Sequence, residues 1–251
     1  MPIPDLTGPG HVALVTGGSR GLGRALIERL VHDGWHVVTD GRDPAGLARA
    51  VRALTASGRV TAVPGDVSDP GHRADLAAAV TRLGRLDALV NNASDLGPTP
   101  LPPLADVPAD AVARVLAVNV SAPLALAQLV LPLLRTSGGC VVNLSSDAAV
   151  EAYPGWGAYG AAKAALDHLS AVMAVEEPAV RVHALDPGDM ATDMHAAAVP
   201  DADPAQLTDP AEVVPALVRL LTEPVPSGRH RAADLLPWPD PARPPAGDAA
   251  S

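Results

Sequence analysis

The sequence is poor in aromatic residues and in lysine. Phenylalanine is absent and aromatic residues make up only 2% of the chain, whereas hydrophobic residues make up 48%. A sizeable core of this composition has to be built from Ala, Val and Leu. Lys163 is the sole lysine among the 18 basic residues, and it follows Tyr159, one of 2 tyrosines, by four positions. A GC-rich genome, which disfavours Lys and Phe codons, would also explain the scarcity of both residues. Such a bias makes the retained lysine more informative but does not by itself assign it a role.

Positive charge and cysteine are also scarce. The formal net charge is −10, which argues against nucleic-acid or anionic-membrane binding, because both need a basic face. Cys140 is the only cysteine, so neither an internal disulfide nor a cysteine metal cluster can form. Its apolar surroundings predict a buried thiol on a strand, and no metal site is expected.

Long apolar runs are missing as well. No apolar stretch reaches the roughly 18 residues of a membrane span. The first ten residues lack the basic segment and the apolar segment of a signal peptide. We therefore expect a soluble, cytoplasmic protein that binds neither a membrane nor nucleic acid.

Short apolar runs alternate along the chain with segments of helical periodicity. The predicted strands, apolar throughout as when helices cover both sheet faces, span residues 11–16, 35–39, 59–67, 86–93, 138–146, 179–188 and 228–236. The predicted helices span residues 23–34, 44–58, 70–84, 109–135, 155–178 and 210–223. Pro123 and Pro132 are expected to disturb the fourth helix. This alternation predicts parallel strands joined by crossover helices, and hence a doubly wound α/β fold.

The same pattern predicts a single domain over residues 1–251, without internal repeats. Residues 236–251 are rich in Pro and Ala, a composition typical of a flexible tail.

A glycine-rich turn, "TGGSRGLG" (residues 16–23), separates the first strand from the first helix. Gly17, Gly21 and Gly23 leave room for a close ligand, and a pyrophosphate there would meet free backbone N–H groups at the positive end of the helix. The spacing is G-x-x-x-G-x-G rather than G-x-G-x-x-G. A tight turn alone would also explain the glycines, but the place of the turn after the first strand favours dinucleotide binding.

The residues after the second strand bear on which dinucleotide is bound. Arg20 and Arg42 are placed to converge on a ribose 2′-phosphate, which favours NADP(H) over NAD(H). Asp40 and Asp43 leave an alternative open, because Asp40 at the end of that strand could instead accept hydrogen bonds from an NAD ribose.

The spacing of Tyr159 and Lys163 suggests a chemical role. Residues four apart share a helix face, and a nearby ammonium lowers the pKa of a phenol, which is otherwise about 10. Lysine is a compact point charge that can bind two partners, whereas arginine is a broad planar fork. The pair could instead be a packed tyrosine beside a solvated lysine.

Several motifs in order resemble the short-chain dehydrogenase/reductase family from the glycine turn to about Leu235. "NNAS" (91–94) has Ser94 where the family has glycine, and "YGAAK" carries the family's Y-x-x-x-K motif. The resemblance implies a Rossmann-type fold of about seven parallel strands with helices on both faces. It implies four catalytic residues, Asn119, Ser146 (thirteen before Tyr159 and therefore preferred over Ser145), Tyr159 and Lys163. The cofactor-binding residues it implies are Gly17, Ser19, Arg20, Gly21, Leu22, Gly23, Arg42, Asp66, Val67, Asn92, Ala93, Tyr159, Lys163, Pro187, Gly188 and Thr192.

A narrower resemblance is to the sepiapterin reductase and benzil reductase-like branch. It is carried by "GWGAYGAAKAALDHL", "EEPAVRV" and "TDM". The resemblance implies a vicinal dicarbonyl substrate, with Asp234 as a candidate substrate anchor. Independently of it, we expect residues 194–207 to form a mobile lid over the substrate.

Two functions follow as hypotheses. The first is an NADPH-dependent carbonyl reductase, reversible to alcohol oxidation, in which Tyr159 gives the proton, Ser146 orients the carbonyl oxygen and Lys163 holds the ribose. Asn119 would hold a water behind Lys163. The alternative is a non-catalytic NADP(H)-binding regulator or scaffold on the same fold. A homodimer or homotetramer is expected, since the resemblance implies helix pairing across subunits and the small residues on the 155–178 helix allow it. Core packing alone would also explain these small residues.

Overall fold

A computed structural model describes residues 10–236 of the protein, so all of the expected tail except Leu236 lies outside the described residues. Over this range seven parallel strands form one sheet in the order β3-β2-β1-β4-β5-β6-β7. They are β1 Val12–Val15, β2 His36–Gly41, β3 Val60–Pro64, β4 Ala88–Asn91, β5 Cys140–Leu144, β6 Arg181–Asp186 and β7 Gly228–Arg231. The doubly wound fold and its seven strands are confirmed. The seventh strand is shorter than predicted, because the chain turns into a helix after Arg231.

Helices connect successive strands and cover both faces of the sheet. They are α1 Gly21–His32, α2 Pro44–Thr55, α3 Pro70–Leu83, α4 Ala109–Leu116, α5 Ala122–Ser137, α6 Gly157–Glu176, α7 Asp193–Ala198, α8 Pro210–Thr222 and α9 Ala232–Leu235. Side chains of α1 and α8 pack on one face of the sheet with Trp35, and those of α3 and α5 pack on the other. Each fully buried Leu or Val contributes about 1.5–3 kcal/mol, so aliphatic packing on both faces stabilises this aromatic-poor core.

The predicted helix over residues 109–135 is continuous to Ser137 but changes its winding. A π-helical turn, Ala117–Ser121, joins α4 to α5. Pro123 lies directly after this π-helical turn, in the first turn of α5, and such a local change of winding is a usual place for a proline within a helix. Pro132 is accommodated inside α5.

This helical run corrects the expectation about long apolar segments. Residues 109–137 include an 18-residue window of mean hydropathy 1.8, enough by length and composition to cross a membrane. Half of that window is buried inside the described fold, as in the core helix of an α/β domain.

The order of the strands locates the site. The chain runs outward from β1 through β2 to β3 and then returns to place β4 on the other side of β1. Loops leave neighbouring strands in opposite directions at this switch point, which opens a crevice beyond the carboxyl ends of the strands.

Candidate active site

A cavity of about 320 Å³ lies at this edge of the sheet. Most of the predicted cofactor-binding residues line it, namely Gly17, Ser19, Arg20, Gly21, Leu22, Arg42, Asp66, Val67, Asn92, Ala93, Tyr159, Lys163, Pro187 and Thr192. Gly23 and Gly188 do not line it. Gly23 packs behind the turn, where an added Cβ would lie 2.5 Å from the Gly17 carbonyl oxygen, and Gly188 adopts a φ of +75°.

Hydrogen bonds to the loop after β4 fix the glycine turn. The Asn92 side-chain amide donates to the carbonyl oxygens of Thr16 and Gly17, at 2.8 and 3.2 Å. The Thr16 hydroxyl accepts from the backbone N–H groups of Asn92 and Ala93, both at 3.0 Å. Gly17 has a φ of +72°, and a Cβ there would lie 3.0 Å from the Ala93 Cα. Only glycine therefore fits this position without strain.

Asp40 lies beneath the turn rather than at the open surface. Its side chain is 2% exposed, and Oδ2 lies 3.0 Å from His72 Nε2 on α3. Its Oδ1 accepts from the Gly17 backbone N–H at 2.6 Å. Both carboxylate oxygens are thus engaged within the fold. No sequence motif pointed to His72, because its contact with Asp40 depends on how α3 packs beside β2.

A second cavity, of about 560 Å³, adjoins the first and shares Ser19, Arg20 and Arg42 with it. Arg24 and Arg49 add two further guanidinium groups to its lining. Sequence reasoning missed these two residues, because they enter the site only through the faces of α1 and α2 that meet there.

Arg114 is another lining residue that the sequence analysis missed. Its guanidinium donates to Asp66 Oδ2 at 2.7 Å and to the Ser68 hydroxyl at 2.8 Å. Burial acts to raise the pKa of Asp66, but hydrogen bonds from Ser68 and Arg114 outweigh it and lower that pKa to about 2. Asp66 therefore remains a carboxylate that holds the wall of the crevice between β3 and α4.

Tyr159 and Lys163 lie one turn apart on α6 and are buried, with 8% and 3% of their surface exposed. The Lys163 ammonium donates to the Leu144 carbonyl oxygen at 2.6 Å and lies 5.4 Å from the centroid of the Tyr159 ring. Burial lowers the pKa of Lys163 to about 8. Burial also raises the pKa of Tyr159 to about 12, against hydrogen bonding with the Ser94 and Ser146 side chains. The expected lowering of the tyrosine pKa is therefore wrong for this geometry, because burial is the larger effect.

Ser146 follows β5 and begins a single helical turn. Its hydroxyl donates to Asp147 Oδ1 at 3.0 Å, while the other oxygen of Asp147 accepts from the Tyr153 hydroxyl at 2.9 Å. The Ser146 hydroxyl does not line the cavity, whereas Ser145 does. The Ser145 oxygen is buried without a hydrogen-bond partner. Hydrogen bonding with the Ser146 side chain acts to lower the pKa of Tyr159. Ser145, in contrast, is one of the residues that line the cavity.

Asn119 lies on the π-helical turn and is 1% exposed. Its carboxamide oxygen accepts from the Ser94 hydroxyl and the Asp95 N–H, and its amide group donates to the Asp95 carbonyl oxygen at 2.7 Å. The side chain therefore holds the loop after β4 and does not line the cavity. That Asn119 holds a water behind Lys163 stays a prediction.

The structure locates the two substrate-side candidates. Asp234 is exposed on α9 and is not among the residues that line the cavity. The expected lid, residues 194–207, contains α7 up to Ala198 and a helical turn at Pro204–Gln206, and both roles stay predictions. The Thr192 hydroxyl caps α7 by accepting from the His195 N–H, a local signal too short to give periodicity.

Within residues 10–236, no group of three or more His, Cys, Asp or Glu side chains is placed to hold a metal ion. Cys140 is fully buried on β5, as predicted, and burial raises its pKa to about 11.

The residues present fit a dinucleotide. The cradle at Gly17 would be filled by a side chain, α1 begins at Gly21 with no acidic residue in its first turn, and the buried Ser145 oxygen lacks a partner on the cavity wall. A helix N-terminus behind a glycine turn binds phosphate. The fold and the site therefore define the Rossmann-type class of dinucleotide-binding domains.

Comparison with known proteins agrees with this class. The short chain dehydrogenase profile matches residues 11–203. Dehydrogenase/reductase SDR family member 4 of Bos taurus is 37% identical over 181 residues, which cover 70% of this chain and 64% of that protein. The match thus spans less than two thirds of that relative's own length.

Solved structures match over more of the chain. A short chain dehydrogenase of Shigella flexneri 2a complexed with NADP aligns with a TM-score of 0.84 and 28% identity, covering 91% of this chain and 99% of that one. One from Escherichia coli CFT073 complexed with NADPH has a TM-score of 0.84 and 29% identity, covering 92% and 99%. The chain belongs to the short-chain dehydrogenase family, whose members are oxidoreductases that act on CH–OH and C=O groups.

Proposed function

We propose that the protein is an NADPH-dependent reductase of ketones or dicarbonyls, reversible to alcohol oxidation. The observation that carries the proposal is the convergence of the buried Tyr159 and Lys163 pair with Ser146 beside a glycine-lined dinucleotide cavity. A cofactor-gated regulator needs the cavity but has no use for a buried proton donor.

The bound nicotinamide would supply hydride to the carbonyl carbon. The Tyr159 phenol donates a proton to the carbonyl oxygen, and its pKa of about 12 keeps it protonated at neutral pH. Ser146 donates to the same oxygen once its hydroxyl turns away from Asp147. Lys163 keeps two N–H groups beyond the one bound to Leu144, and these bind ribose hydroxyls. Such a positioned acid contributes about 10²–10⁴-fold in rate.

The preference for NADPH rests on the second cavity. Arg20 and Arg42 line both cavities, and Arg24 and Arg49 add two guanidinium groups to the second beside its acidic lining residue, Asp43. This excess of positive charge suits a ribose 2′-phosphate. Asp40, the candidate reader of an NAD ribose, is engaged by Gly17 and His72 instead.

The substrate proposal is a vicinal dicarbonyl. It rests on the sequence likeness to the sepiapterin reductase and benzil reductase-like branch. Met190 and Met194, which line the same cavity as Tyr159, are adaptable apolar walls for such a ligand. A cytoplasmic setting suits the single, buried thiol.

The experiment compares Tyr159→Phe with Tyr153→Phe, which removes the same hydroxyl from the exposed second tyrosine. Benzil and a pterin side-chain ketone are the substrates, with NADPH or NADH consumption and cofactor binding as readouts. We expect Tyr159→Phe to lose at least about 10²-fold in kcat while binding NADPH as the wild type does. Tyr153→Phe should keep most of its turnover.

Three outcomes would count against the proposal or a part of it. Unchanged kcat in Tyr159→Phe would remove Tyr159 as the proton donor. Tight NADPH binding without turnover, over a broad screen of ketones and alcohols, would favour the regulator. Equal kcat/KM with the two cofactors would overturn the NADPH preference alone.

A further inference from the structure

Arg229 on β7 joins three segments that meet at the site. Its Nε donates to Asp167 Oδ2 on α6 at 2.9 Å. Its Nη2 donates to the Ser146 backbone carbonyl oxygen at 3.0 Å and to Asp186 Oδ2 at the end of β6 at 3.2 Å. The Arg229 side chain is 28% exposed, while those of Asp167 and Asp186 are 14% and 6% exposed. The guanidinium is thus partly desolvated between two carboxylates.

Each of these partners is tied to a residue of the proposed chemistry. Asp167 lies one helical turn after Lys163. Asp186 accepts from the Gly188 N–H at 3.1 Å and so shapes the Pro187–Gly188 turn on the cavity wall. Ser146 is held directly through its backbone. A role for Arg229 at this site therefore rests on the proposed function, and it concerns the same site as Tyr159.

We propose that Arg229 is a positioning residue of the reductase site, which fixes the Ser146 backbone against α6 and the turn after β6. The planar fork of arginine matches this arrangement, because one side chain reaches two carboxylates and a carbonyl oxygen in different directions. Lysine at this position would replace the charge but not the fixed geometry.

Arg229 also balances the charges around the catalytic pair. The acidic groups acting on Tyr159 are Asp147 after β5 and Asp186, and the one acting on Lys163 is Asp167. Without the guanidinium, Asp167 and Asp186 face the pair unneutralised, which favours the protonated forms of both residues.

The test uses Arg229→Gln and Arg229→Lys, with Arg219→Gln as the matched control. Arg219 is 32% exposed and bonds a carboxylate, that of Glu223, and a backbone carbonyl oxygen, that of Leu235, but its bonds lie away from the cavity. We expect Arg229→Gln to lower kcat about 10- to 100-fold, to leave the NADPH Kd near that of the wild type, and to move the alkaline limb of the rate profile to higher pH. Arg229→Lys should restore that limb but only part of kcat.

An Arg229→Gln variant indistinguishable from Arg219→Gln in kcat and pH profile overturns the proposal. Should the glutamine variant fail to fold, the lysine variant carries the comparison, and wild-type kcat in it overturns the requirement for a fork. If the wild type reduces no carbonyl compound, the proposed function fails separately. The positioning role is then tested by amide hydrogen exchange of residues 144–149 and 186–190 in the NADPH-bound protein. Faster exchange in Arg229→Gln than in the wild type supports the positioning role, and unchanged exchange refutes it.

Discussion

Lys163 illustrates at the residue scale why an ammonium and a guanidinium are not interchangeable. It is 3% exposed and donates to the Leu144 carbonyl oxygen, in a space between α6 and β5 where a compact cation fits. Desolvation of that cation lowers its pKa from 10.5 to about 8. Tyr159, by contrast, is made a weaker acid by the same burial. As the pH rises, Lys163 therefore loses its proton before Tyr159 does. In an exposed pair the tyrosine would lose its proton first.

This order predicts the pH dependence of the reaction. We expect kcat/KM for carbonyl reduction to be level near neutral pH and to fall as the pH passes about 8, because Lys163 loses its charge there. Tyr159 stays protonated up to about 12, so it does not set this limb. The pH profile of NADPH consumption at low substrate concentration measures it. A rate that stays level to a pH of about 10, the ordinary lysine range, would contradict the assignment.

At the scale of elements, α7 closes one side of the cavity. Met190 to Met194 line it opposite the glycine turn, and Arg20 Nη1 lies 3.1 Å from Asp193 Oδ2 at the start of α7. Both side chains are more than half exposed, so this ion pair contributes little to stability. The ion pair does, however, engage the guanidinium of Arg20, which the proposed 2′-phosphate site needs.

We therefore expect Asp193→Ala to bind NADPH about two- to fivefold more tightly, in line with the small free energy of an exposed pair. NADH binding should change less, because NADH has no 2′-phosphate to use the released Arg20. Fluorescence titration with each cofactor is the measurement, and Asp201→Ala, an exposed acid of the same segment, is the control. An equal gain for both cofactors, or the same gain in the control, would rule out competition for Arg20.

The whole molecule presents an apolar stripe on α6. Ala161, Ala164, His168, Val172 and Val175 are all exposed and recur at intervals of three or four residues, which places them on one helix face. Val175 is 82% exposed. We propose this face as the contact between copies in the expected homodimer or homotetramer.

Val175→Arg should shift the protein toward monomers, because a two-fold contact would bring like charges together. A cation near the end of α6 suits the helix dipole, so the fold itself should tolerate the change. Light scattering after size exclusion gives the mass. Leu83→Arg, at the end of α3 and 37% exposed, is the matched control and should keep the wild-type mass. A monomeric wild type, or equal dissociation in both variants, would refute this contact.

The sequence by itself determined the alternation of elements, the glycine turn and the Tyr159–Lys163 spacing. These are local: apolar runs report burial on both faces, and four residues in a helix always share a face. The ends of the elements did not follow from the sequence in the same way. The predicted strand over residues 228–236, for example, contains both β7, which ends at Arg231, and α9.

Only the tertiary structure decided which distant groups meet. Arg229 reaches Asp167 across 62 positions and Asp186 across 43, and Asp40 meets His72 across 32. The pKa of Tyr159 likewise follows from how deeply α6 packs against the sheet. Spacing along the chain does not encode such contacts, because they depend on the stacking of helices on strands far apart in sequence.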